Sequence, residues 1–182
     1  MRTVAAVLVH YPVVDRYGDI VATANTNLDL HDIARSGRTF GLSAVYIVHP
    51  VAAQRELAER VRRHWTEGSG GRRIPDRAPA MQLLRIVTTF DDVLAAMGDN
   101  VEIWTTSAKP SNETLSYELA KDRLQGEGSP VLLVFGTGWG LSPELVGRAN
   151  AHLAPIVSRY ADGYNHLSVR AAAAIVFDRL LA

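Results

Sequence analysis

Three stretches of this chain concentrate side chains that could do chemistry. Asp29, His31, Asp32, Arg35 and Arg38 form the first. Asp32 and Arg35 are three apart, as are Arg35 and Arg38, so on a helix they share one charged face. Surface ion pairing is the plain reading of such a face. The sharper reading is Arg forks that grip phosphate bidentately. Asp29, His31 and Asp32 invite comparison with a metal set, but a spacing of i, i+2, i+3 does not place all three together, and no metal site is assigned.

The second stretch is Gly136-Thr-Gly-Trp-Gly140. Glycines there let a ligand approach bare backbone N–H groups. A dinucleotide fingerprint would need glycine at position 141, which is Leu, and 42 residues after Gly140 leave too little chain for the rest of such a fold. A phosphate-binding P-loop would need a Lys after the glycines, and none is present. NAD and nucleoside triphosphates are therefore disfavoured; the glycines cradle another ligand or make a tight turn. The third stretch is Tyr164-Asn-His-Leu-Ser-Val-Arg170, where Asn165, His166 and Ser168 open a helix that continues through four alanines. Small residues at successive turns allow close helix approach, within the domain or across a subunit boundary.

Alternating apolar runs and helical-period segments must position these residues. Strands are expected over Thr3–Val9, Ala44–Val48, Leu83–Thr88, Val101–Thr105, Val131–Phe135 and Leu153–Val157. Helices are expected over Leu28–Phe40, with Leu28, Ile33, Ala34 and Phe40 inward, and over Val51–Trp65, with Leu57, Ala58 and Val61 on one face. Further helices are expected over Asp91–Met97, capped by Thr89, over Asn112–Leu124, after a Ser142 cap, and over His166–Leu181. Gly68–Pro79 reads as a loop. Six strands alternating with six helices make one α/β domain with a mainly parallel sheet, and the wholly apolar 131–135 run is its central strand.

Composition narrows the chemistry further. The 182 residues carry 19 basic and 19 acidic side chains and no cysteine. Disulfides, thiolate metal sites and thiol nucleophiles are excluded. A uniformly basic nucleic-acid binder is excluded too, though a local basic patch is not. The early apolar run stops at His10, too short for a signal-peptide core or a membrane span, so the cytoplasm is the expected location. Only Lys109 and Lys121 among the basic residues are not Arg, through codon bias or phosphate recognition. Arg60, Arg62, Arg63, Arg72, Arg73 and Arg77 face only Glu67 and Asp76 in their segment, a local balance of +4. His64 and Trp65 lie among them. Aromatic and Arg side chains at an exposed segment suit stacking on unpaired bases; the alternative is a solvated helix end.

Together, Asn27-Leu-Asp-Leu-His-Asp-Ile-Ala-Arg-Ser-Gly-Arg-Thr-Phe-Gly41, Phe135-Gly-Thr-Gly-Trp-Gly-Leu141 and Tyr164-Asn-His-Leu-Ser-Val-Arg170 resemble the SPOUT (α/β-knot) RNA methyltransferases, in a bacterial branch found alone or fused. The resemblance covers nearly the whole chain. It implies a single domain over 1–182 whose residues 101–182 form a deep trefoil knot that binds S-adenosylmethionine. It implies a homodimer with the first and last helices at the interface, and an RNA substrate, tRNA before rRNA.

By resemblance the cofactor lies among three loops. These are Thr105, Thr106, Ser107 and Ala108; then Phe135, Gly136, Thr137, Gly138, Trp139, Gly140 and Leu141; then Pro155 and Ile156 with Tyr164, Asn165, His166, Leu167 and Ser168. Arg35 matches the family's catalytic Arg, and Asp29, Asn165 and His166 are the other catalytic candidates. Where ribose-methylating relatives carry Asn, this chain has Asp29, so the target is a ribose 2′-oxygen or a base nitrogen. With no separate RNA-binding domain, Arg38 and the Arg60–Arg77 segment are the expected RNA contacts. The rival is an RNA-binding or regulatory protein of the same fold without catalysis.

Overall fold

The structure is a computed structural model describing residues 1–98, 100–109, 113–161 and 163–182. Its strands in chain order are β1 (Val4–Val9), β2 (Val13–Val14), β3 (Ile20–Val21), β4 (Val45–Val48), β5 (Leu84–Val87), β6 (Glu102–Thr105), β7 (Val131–Gly136) and β8 (Ala151–His152). The helices are α1 (Asn27–Thr39), α2 (Ala52–Thr66), α3 (Ser69–Arg73), α4 (Ala78–Met81), α5 (Phe90–Met97), α6 (Tyr117–Gln125), α7 (Pro143–Gly147) and α8 (Val169–Leu181), with a 3-10 turn at Pro75–Arg77.

Six strands form one sheet in the order β5-β4-β1-β7-β6-β8, every adjacent pair parallel. Strands buried on both faces need apolar residues throughout, and β1 and β7 supply them. Alternate residues of β1 serve opposite faces. Val4, Ala6 and Leu8 pack with Leu30, Ile33, Phe177 and Leu180 from α1 and α8, and with parts of α2, α4 and α6. Ala5, Val7 and Val9 pack with Phe90, Val93 and Leu145 from α5 and α7. Because the strands are parallel, their carboxyl ends share one edge. The order reverses between β1 and β7, the crevice where open α/β sheets hold ligands.

Several expectations need correction. The last strand is Ala151–His152; Leu153 makes only an isolated bridge to Leu115, and Pro155, lacking an N–H, cannot continue the ladder. The closing helix starts at Val169, capped by Ser168, whose side chain accepts from the Ala171 N–H. Asn165 and His166 therefore lie in the loop before it. The helix expected from Asn112 starts at Tyr117 behind a Ser116 cap, and Asn112 lies outside the described residues.

Leu28 is exposed, and Leu30 takes the inward position, because Leu30, Ile33, Ala34 and Gly37 follow the helical repeat. Leu57 is also exposed beside buried Ala58. Gly68–Pro79 is not a plain loop: it folds into α3, a 3-10 turn and the start of α4. Gly70 permits this, since a Cβ there would lie 2.6 Å from the His64 ring and 2.9 Å from Trp65. The β2–β3 hairpin was not expected; two-residue strands leave almost no period to read.

Candidate active site

The three loops expected to hold a cofactor follow β6, β7 and β8, which are adjacent, so their carboxyl ends bring the loops together. Asn165 joins two of them: its Nδ2 donates to the carbonyls of Ala108 (3.3 Å) and Ile156 (2.9 Å). The rings of Trp139 and His166 meet edge to face at 6.3 Å, linking the glycine loop to the third segment, and Tyr164 packs on His166 at 5.5 Å. In the first loop the Thr105 hydroxyl bonds His152 Nδ1 at 2.7 Å, Thr106 donates from Oγ1 to the Val134 carbonyl, and Ser107 Oγ accepts from the Lys109 N–H. Pro155 is half-buried and Leu167 exposed.

Two members of the expected set face elsewhere. The Phe135 side chain is buried in the core, edge to face with Phe177 at 5.7 Å, because β7 points it toward α8. Leu141 is buried against β2 through a bridge to Val13. The hairpin explains the glycine loop's shape: Trp139 N–H donates to the Val14 carbonyl and Val14 N–H to the Gly140 carbonyl. Gly138 lies at φ +60°, where a Cβ would be 3.0 Å from that Val14 carbonyl. Gly138→Val is expected to cost about 1–2 kcal/mol from the left-handed backbone alone. That lowers the melting temperature by about 2–8 °C by calorimetry.

A buried network at the β1/β7 crevice was not foreseen. Thr137 Oγ1 donates to the Val9 carbonyl at 3.1 Å and also meets the Thr23 hydroxyl. With the Thr137 proton committed, Thr23 donates to Thr137, and His10 Nδ1–H donates to Thr23 at 2.9 Å. His10 Nε2 is buried and without a partner among the described residues, a setting that disfavours a proton there. Burial, then the neighbouring His49, lowers its pKa from 6.5 to about 4, with Asp29 opposing. The His49 ring stacks on it at 5.4 Å, donates from Nε2 to the Thr23 carbonyl and accepts the Val51 N–H on Nδ1. Burial lowers the His49 pKa too. The only cue in the sequence is that the apolar run ends in a His.

On the first helix the candidates separate. Asp29 is buried, bonded by the Thr26 hydroxyl at 2.6 Å and paired with Arg170 at 3.2 Å. Arg170 also reaches Asp32 at 3.3 Å, so these acids tie α1 to α8. Arg35 and Arg38 are exposed and have no ion-pair partner among the described residues. Arg35 borders two clefts. One of about 490 Å³ lies between α1 and α8 and includes Ser168 of the third loop. The other, about 690 Å³, lies between α1 and α2 and includes Arg60 and Arg77. Arg62 is engaged by Glu59. Arg72 reaches only the Glu67 carbonyl at 3.5 Å; Arg63 and Arg73 are exposed.

Comparison with known proteins identifies the family. Residues 3–182 match the family model described as SAM-dependent RNA methyltransferase. The chain is 44% identical over 99% of its length to a tRNA (guanine-N(1)-)-methyltransferase of Oleidesulfovibrio alaskensis, and 47% identical over 99% to one of Nitratidesulfovibrio vulgaris. It spans only 42% of each of these relatives. It also superposes on the SpoU methyltransferase AviRb of Streptomyces viridochromogenes, solved with AdoMet, at a TM-score of 0.60 and 12% identity, covering 98% of this chain and 57% of that one. That likeness is one of fold. With the family model matched over nearly every residue, the chain belongs to the SAM-dependent RNA methyltransferase family.

Proposed function

We propose that this chain binds S-adenosylmethionine among the 105–108, 136–141, 155–156 and 164–168 segments and transfers its methyl group to RNA, with tRNA the favoured substrate, in the cytoplasm and as a homodimer. The observation that carries the reading is the convergence of three loops at adjacent strand ends within a chain of this family, joined by Asn165 and by the Trp139–His166 contact. The donor set suits an adenosyl ligand: backbone N–H and carbonyl groups of a glycine loop, flat rings, and an amide already spanning two loops. The relatives' guanine-N(1) activity belongs to proteins more than twice as long, so their name leaves open which part carries it. The target here is a ribose oxygen or a base nitrogen. Support for threading of the C-terminal segment comes from Leu153 and Ala154. Leu153 N–H donates to Thr105, and Ala154 N–H to Leu115 beyond the first loop.

The cofactor when bound supplies an electrophilic methyl on sulfur, so the protein's task is positioning rather than activation. The Trp139, His166 and Tyr164 rings are exposed and offer flat faces to an adenosyl group. Thr137, anchored to Val9 and Thr23, fixes where the glycine loop leaves the sheet. Arg35, charged at any physiological pH, orients an acceptor and stabilises developing negative charge rather than taking a proton.

Mass action gives the test. S-adenosylmethionine or its demethylated product at a hundredfold excess over its dissociation constant should stabilise the fold by about 2.7 kcal/mol, while NAD and ATP should not. Gly138→Val should lose that stabilisation. Calorimetric heat with NAD and none with either sulfur ligand would sink the reading. RNA nucleosides from cells with and without the gene, compared by mass spectrometry, then identify the methylated atom.

A further inference from the structure

The cleft between α1 and α2 lies on the far side of Arg35 from the α1–α8 cleft, and no cofactor loop borders it. One wall is Trp65. The Arg77 guanidinium sits over its ring, 4.3 Å from the centroid, and His31 and His64 meet it edge to face at 5.5 and 5.1 Å. Arg35 and Arg60 complete the rim, neither with an ion-pair partner among the described residues, and no Asp or Glu lines the cleft. The His31 Nε2 is buried without a partner among the described residues. The floor is aliphatic, formed by Leu57 and Val61.

The volume of about 690 Å³ is that of a small-molecule site. Its chemistry narrows the occupant. Indole, imidazole and guanidinium planes stack on flat π-systems, and unpaired guanidinium groups without a competing acid grip phosphate. A paired helix cannot offer a base face to such a cleft, but an unpaired nucleotide can.

We propose that this cleft holds an unpaired nucleotide of the RNA substrate, with its base against the Trp65–Arg77 wall and its phosphate on Arg60 and Arg35. The inference rests on the methyltransferase reading and adds a recognition site beside the reacting one. Arg35, on the border of both clefts, links the held nucleotide to the acceptor. The substrate segment is single-stranded there, and recognition depends on stacking more than on base edges.

Fluorescence anisotropy of the full chain with a labelled single-stranded RNA of about ten nucleotides, and with the same strand fully paired, tests this. Trp65→Leu and Arg60→Glu should each weaken single-strand binding by about fivefold to a hundredfold. Trp65→Phe, which keeps an aromatic face and the packing, should stay within about twofold. Calorimetry with the demethylated cofactor should be unchanged in all three.

If both weakening variants bind RNA as the wild type does, the cleft is not the site. Equal binding of duplex and single strand, or of free adenosine or guanosine monophosphate and RNA, also overturns the proposal. A halved mass by light scattering in Arg60→Glu would instead make the cleft an interface between copies. Cofactor binding without RNA binding removes only this inference; failure to bind cofactor removes the function proposed above.

Discussion

Replacing Arg35 by alanine is expected to leave S-adenosylmethionine affinity within about threefold while lowering methyl transfer by about 10²–10³. The separation follows from position. Arg35 lies on the exposed face of α1, outside the three cofactor loops, and reaches their neighbourhood only through the cleft it shares with Ser168. Whatever hold Arg35 has on RNA, charge that it stabilises only in the transition state appears in kcat and leaves cofactor binding alone. Arg38→Ala is the control. Exposed and outside both clefts, Arg38 should affect RNA affinity more than turnover. Single-turnover transfer with saturating cofactor measures the difference. Should Arg35→Ala transfer at the wild-type rate, His166 becomes the better candidate. Asp29 does not, because Thr26 and Arg170 already occupy its carboxylate.

The second large effect concerns acid stability. The folded pKa of His10, about 4, lies below the unfolded value of 6.5. Between those values the unfolded chain takes a proton that the folded one refuses, so stability falls as pH falls. The contribution is full above pH 6.5 and is lost on descending to about 4. It amounts to about 3–4 kcal/mol, from about 2.5 pH units at about 1.4 kcal/mol each. His49, shifted in the same direction by burial, steepens the same limb. Urea unfolding at intervals from pH 7 to 4 gives the slope. His10→Gln, which can still hydrogen-bond Thr23 but cannot titrate there, should flatten it by up to one proton relative to wild type. An unchanged slope in that variant would show that His10 takes its proton as readily in the fold as in the unfolded chain. The network matters to function because Thr137 begins the glycine loop.

Close alanine contacts on α8 were expected to lie within the domain or across a dimer. At Ala173 the structure decides: it is fully buried against the chain's own core. Arginine there would bury a charge in that core, so it would report on folding and not on assembly. Ala171 and Ala174 border the α1–α8 cleft and are the positions from which to probe a partner subunit.

Local pattern alone determined the alternation of elements. The 4–9 and 131–135 runs read as doubly buried strands, and Thr89 and Ser142 cap their helices as their side chains require, whereas the Ser116 and Ser168 caps start helices later than expected. The glycine loop, the Arg-bearing first helix and the Asn165–Ser168 stretch could all be named from sequence, because ligand-facing backbone and exposed cations demand particular residue types. Which of these meet depended on strand order. Parallel β7, β6 and β8 lie side by side, so Asn165 reaches Ala108 across 57 positions and Thr105 reaches His152 across 47. The β2–β3 hairpin is local but too short to show a period, whereas the His10–Thr23–Thr137 chain and the Trp65 cleft depend on contacts between segments distant in sequence. Whether a His or an Arg is buried, paired or free is decided by what packs against it, and tertiary structure alone sets that.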